Sequence, residues 1–84
     1  MDTRSLNDLA VNESGLIFDP HNGDIFTSNA TGVMIINSLK EKKGIDAIKM
    51  NISALYEIDD ETLEKDIFDF LNQLSNCGFR WEAV

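Results

Sequence analysis

Two places in the 84-residue chain gather side chains able to do chemistry. The segment Asp19-Pro20-His21-Asn22-Gly23-Asp24 holds two carboxylates and the chain's one imidazole, a donor set that could hold a metal ion. Calcium-loop spacing fails there, because the glycine falls one position early and no bidentate glutamate follows. The second place is Cys77. Nucleophilic catalysis needs a base beside the nucleophile, and one histidine with one cysteine makes a poor case for it. Cys77 is expected as a small buried residue near a helix end. Glu64, Asp66 and Asp69 point to different sides of a helix and form no acid–base pair. Neither a Walker loop nor a glycine-rich dinucleotide fingerprint occurs. The residues therefore predict no enzyme, no metal and no cofactor, which leaves surface recognition.

The elements that must position such a surface follow from local signals. Residues 16–18 and 25–27, rich in apolar, β-branched and aromatic side chains, flank the turn formers. Asp19 can accept a backbone bond at the start of the turn, Pro20 pre-sets φ, and Asn22-Gly23 can take positive φ. This spells a hairpin with a loop of four or five residues. Its second strand runs straight into a helix start at Asn29, a strong N-cap for Thr31 or Gly32. An opening strand is expected around residues 8–12, and residues 1–5 are expected to be loose. Three short strands cannot stabilise themselves and must lie on helices.

Three helices are expected. The first, residues 30–42, is apolar around most of its circumference, hence central, and should stop at Gly44 in the left-handed conformation. Gly32 in its first turn, costing roughly 1 kcal/mol against alanine, is explained either by the close approach of another backbone or by a fraying terminus. The second, residues 45–56, carries an apolar stripe of Ile45, Ile48, Ile52, Leu55 and Tyr56, with Met50 opposite. The third begins at the N-cap Asp59 and ends at Gly78. Leu63, Ile67, Phe70, Leu71 and Leu74 form its core face. Phe68 lies off that face beside Glu64, Leu71 and Ser75, as either a tolerated surface residue or the border of a groove. Phe79 and Trp81 should fold back over the open end of the core.

Composition narrows the partners. A hydrophobic fraction of 43% fits a globular chain of one domain, residues 1–84, near the lower size limit for a single core. No run is long and apolar enough for a membrane span, and the N-terminal residues lack an apolar signal core, so no membrane partner is expected. One cysteine excludes an internal disulfide and suits a cytoplasmic setting. A net charge of −8 and a pI near 4.3 disfavour nucleic acid. The basic cluster of Lys40, Lys42 and Lys43 suits a helix C-terminus. An unpaired sheet edge next to a helix suits strand addition, in which a peptide's main chain pairs with the edge and its side chains enter an adjoining groove. The acidic balance favours a partner with basic residues.

The sequence Leu-Ala-Val-Asn-Glu-Ser-Gly-Leu-Ile-Phe-Asp-Pro-His-Asn-Gly-Asp-Ile-Phe-Thr-Ser-Asn-Ala-Thr-Gly, residues 9–32, resembles the opening of the PqqD-like peptide chaperones. These are the recognition elements of ribosomally made, post-translationally modified peptides. The likeness continues through the helix that begins at Ile45, residues 59–74 and the Cys-Gly-Phe of residues 77–79, and so covers nearly the whole chain. It implies an α+β fold, a three-stranded antiparallel sheet followed by a three-helix bundle in a winged-helix-like arrangement. It also implies a non-catalytic protein that binds the leader segment of a precursor peptide and presents it to a modifying enzyme, often a radical S-adenosylmethionine protein. The leader would add as a fourth strand along Asp24, Ile25, Phe26, Thr27 and Ser28, facing Glu64, Phe68, Leu71 and Ser75 of the third helix. Ser28 stands where the family commonly has leucine. The alternatives are a winged-helix nucleic-acid binder, on shared topology, and a general protein-interaction module, monomeric or pairing with itself as a homodimer.

Overall fold

The computed structural model describes residues 4–81. Its elements are β1 (Arg4–Ser5), a 3-10 turn (Leu6–Asp8), β2 (Ala10–Val11), β3 (Leu16–Asp19), β4 (Asp24–Thr27), α1 (Ala30–Lys40), α2 (Ile45–Leu55), α3 (Asp60–Asn76) and β5 (Phe79–Arg80). The architecture is α+β: an antiparallel sheet ordered β2-β3-β4, followed by three helices. β1 and β5 add a short parallel pair, Arg4 opposite Phe79 and Ser5 opposite Arg80. Residues 4 and 5, expected to be loose, are thus held by the far end of the chain. Residues 1–3 lie outside the described part.

Local chemistry builds the hairpin. Asp19 Oδ1 accepts the His21 N–H at 3.0 Å, and the Asp19 carbonyl accepts the Gly23 N–H at 2.8 Å. Gly23 has φ +76. His21 Nε2 lies 2.7 Å from Asp8 Oδ2, which ties the turn to the 3-10 segment. Asn22 Oδ1 also accepts the Asp24 N–H at 3.3 Å, and no cluster of three or more potential metal ligands occurs among the described residues.

The helices begin and end on their own side chains. Asn29 Oδ1 caps the Gly32 N–H at 2.8 Å, and Asp59 Oδ2 takes both the N–H and the hydroxyl of Thr62 at 3.1 Å. Gly78, at φ +92, closes α3. The stop of α1 differs from expectation. Lys42, at φ 62, takes the left-handed conformation, and Gly44 is instead the N-cap of α2 at φ −79. With only three residues between Lys40 and Gly44, the chain must turn before the glycine is reached.

The core gathers Leu6, Leu9, Ile17, Ile35, Ile36, Leu39, Ile48, Ile52, Leu63, Ile67 and Phe79. Trp81 packs partly against it, so the chain's end does return over the core. α2 buries Ile48 and Ile52 fully but leaves Leu55 and Tyr56 exposed at its C-terminal end, where Leu55 borders an open hollow with Met34, Asn37 and Ser38 of α1 instead of closing on them. Met50 is exposed and Met34 partly buried against the core. Among the described residues no helix is long and apolar enough to cross a membrane.

Candidate functional site

β4 stands at one edge of the sheet, paired only with β3 among the described residues. Its register sets Leu16 opposite Thr27, Ile17 opposite Phe26 and Phe18 opposite Ile25. One bond fixes the phase: the Ser28 N–H donates to the Gly15 carbonyl at 2.8 Å. Alternation along an antiparallel pair then turns the N–H and C=O of Ile25 and Thr27 away from β3. Two donors and two acceptors face outward along this edge. All four residues of β4 have exposed side chains, which is unusual for a strand beside a core.

That exposure has two causes. Ile25 and Thr27 share the outer face of the sheet with Leu16 and Phe18, and on the other face β4 overhangs a groove bounded by α3. Phe26, which shares its sheet face with buried Ile17, lines an apolar cavity of about 150 Å³. Thr27, Ser28, Phe70, Leu74, Cys77 and Phe79 complete much of its wall. An apolar cavity of ~150 Å³ can hold a benzene ring, so one large apolar side chain fits. Beyond Ser28 the groove opens into a more polar hollow beside the start of α1, bordered by Asn29, Thr31, Asp66, Asp69 and Gln73.

Gly32 shapes the join between the two. A Cβ there would run into Ser28 Oγ and come within 2.9 Å of Phe70 Cε1. The close approach expected at Gly32 is therefore made by two side chains rather than by a backbone. Serine at position 28 meets this glycine, and its hydroxyl donates to the Asn29 carbonyl at 3.1 Å.

The residues expected on α3 lie elsewhere. Asp66, Asp69, Phe70, Gln73, Leu74 and Cys77 line the groove, spaced by three, one, three, one and three along one flank of the helix. Glu64, Phe68, Leu71 and Ser75 occupy the other flank and line neither the apolar cavity nor the polar hollow. Glu64 instead takes a hydrogen bond from Lys49 of α2 at 3.2 Å. Phe68 is exposed on that side, and Leu71 is partly buried against the core. The structure thus brings Asp24, Ile25, Phe26, Thr27 and Ser28 together at one edge but does not set the other four opposite them. Both flanks adjoin the same core stripe, so helical periodicity alone gives no preference between them. Phe70 and Leu74 were legible only as core positions, and a groove wall is indistinguishable from a core wall in the sequence pattern. Cys77, expected to be buried, is exposed where the cavity opens.

Electrostatically, the two flanks of α3 differ. Lys49 Nζ lies 3.1 Å from Asp60 and 3.2 Å from Glu64, and hydrogen bonding to Asp60 first, then to Glu64, raises its pKa. Asp66 and Asp69, expected on different sides of the helix, share the groove flank because they are three residues apart, and neither forms an ion pair among the described residues.

No curated protein matches the chain. The solved structure of TbiB1 in complex with the TbiA(beta) leader peptide is similar at a TM-score of 0.69 and 32% sequence identity, over 81% of this chain and 80% of that one. The family described as Coenzyme PQQ synthesis protein D (PqqD) matches residues 14–79, from the start of the hairpin to the first residue of β5, and the chain belongs to that family.

Proposed function

We propose that the chain is a peptide-binding chaperone that takes the leader segment of a ribosomally made precursor as an added strand along β4. The observation that carries this is the open edge: the outward backbone groups of Ile25 and Thr27 run beside an apolar cavity that fits one large side chain. A strand laid there gains main-chain hydrogen bonds, and its alternate side chains enter the groove. The likeness to a protein solved with a leader peptide supports the same reading. The proposed site is Asp24, Ile25, Phe26, Thr27 and Ser28 together with the groove flank of α3, chiefly Phe70, Gln73 and Leu74. In this reading the protein does no chemistry, works in the cytoplasm and hands the bound precursor to a modifying enzyme, of which a radical S-adenosylmethionine protein is one type.

The test is a titration of isotope-labelled protein with the leader segment of a short precursor encoded beside it. Amide shifts should concentrate in residues 25–28 and 69–77. Shifts confined to other residues would reject the site. A second reading, self-association, draws on Leu16, Phe18 and Ile25, which remain exposed on the outer face of the sheet. Light scattering over a concentration series separates the two, since only self-association makes the mass rise without peptide.

A further inference from the structure

We infer that the groove selects for charge as well as shape: its strand carries a large apolar side chain and, two or four residues away on the same face, a lysine or arginine. This rests on the peptide-binding reading above. The apolar cavity and the polar hollow adjoin, sharing Thr27, Ser28, Phe70 and Gln73. On α3 their walls are offset by about one turn, roughly 5.4 Å. Same-face side chains of a strand recur about every 6.6–6.8 Å. A strand with one side chain in the cavity therefore sets its next same-face positions over the hollow.

The hollow's charge is one-sided. Asp66 and Asp69 border it, no lysine or arginine lines it or the cavity, and neither aspartate is ion-paired among the described residues. On the opposite flank of the same helix, Lys49 already serves Asp60 and Glu64. The start of α1 at the hollow opposes a cation with a partial positive charge, about half a unit. Asn29 already satisfies the Gly32 N–H there, and two full carboxylate charges outweigh the remainder. The chain's net charge of −8 adds attraction at longer range.

A displayed library of random peptides of about twelve residues, selected on the full chain, tests this. Peptides from the wild-type selection should pair a large apolar residue with Lys or Arg at the stated spacing. Replacing that cation by Gln should weaken binding about two- to fivefold in low salt, the range of a solvent-exposed ion pair. The double variant D66N/D69N should keep the apolar preference and lose the basic one. The variant D46N/E61Q, with the same change of charge at residues that line neither hollow, should keep both. Selected peptides without a basic preference, or a preference that survives D66N/D69N, would overturn the charge selection and leave peptide binding standing. Failure to select any peptide would overturn the peptide-binding reading itself, and this inference with it.

Discussion

Replacing Gly15 by alanine should cost far more stability than replacing Gly23, although both glycines have positive φ. Gly23 has φ +76 with nothing within 4 Å of a Cβ built there, so Gly23→Ala meets only the backbone penalty. That penalty is about 1–2 kcal/mol, offset by ~0.4–1 kcal/mol from the restricted unfolded chain, leaving about 1 kcal/mol. Gly15, at φ +99, carries the same penalty and more. Its Cβ would overlap the Ser28 carbonyl oxygen, a backbone atom that cannot rotate away. Relief requires β4 to move, which breaks the Ser28 N–H bond to the Gly15 carbonyl, worth about 0.5–1.5 kcal/mol, and spoils packing around it. Gly15→Ala should therefore lose about 2–4 kcal/mol. For a chain of 84 residues each kcal/mol shifts Tm by about 4–8 °C. Thermal unfolding by circular dichroism should then show a drop of about 4–8 °C for Gly23→Ala and about 8–32 °C for Gly15→Ala. Asparagine tolerates positive φ, so Gly23→Asn should be nearly silent while Gly15→Asn remains severe. Equal losses at the two glycines would refute the argument that contact with Ser28 anchors the end of β4.

Three further outcomes follow from the same geometry. Leu74→Ala should weaken leader binding by about 1 kcal/mol or more, whereas Phe68→Ala should leave it unchanged; isothermal titration checks both, and the reverse order would return the site to the other flank of α3. Asp59→Ala removes the acceptor for the Thr62 N–H and hydroxyl, and urea unfolding should show a loss of about 1 kcal/mol. The third concerns pH. The Lys49 pKa is raised in the folded chain, so its contribution is complete below the ordinary value of 10.5 and fades as pH rises through the raised one. Stability curves of the wild type and Lys49→Met should accordingly converge in alkali, and a gap that stays constant would remove the ion pairs from the account.

The sequence by itself determined whatever a few neighbouring residues can decide. The Asp19–Gly23 turn, the caps at Asn29 and Asp59 and the stop at Gly78 are bonds and backbone conformations closed within about four residues, and Ile48 and Ile52 of α2 and Leu63 and Ile67 of α3 are core positions read from periodicity. Tertiary structure decided which residues border the open edge of the sheet. A helix with one apolar stripe has two equivalent flanks. Only the docking of α2, which claims Glu64 through Lys49, and the overhang of β4 assign Asp66, Asp69, Phe70, Gln73 and Leu74 to the groove. The same holds for β1 and β5, whose pairing joins residues 4–5 to residues 79–80. Contacts between residues far apart in the chain leave no local trace, because each partner's own neighbours are satisfied whether or not the distant one arrives.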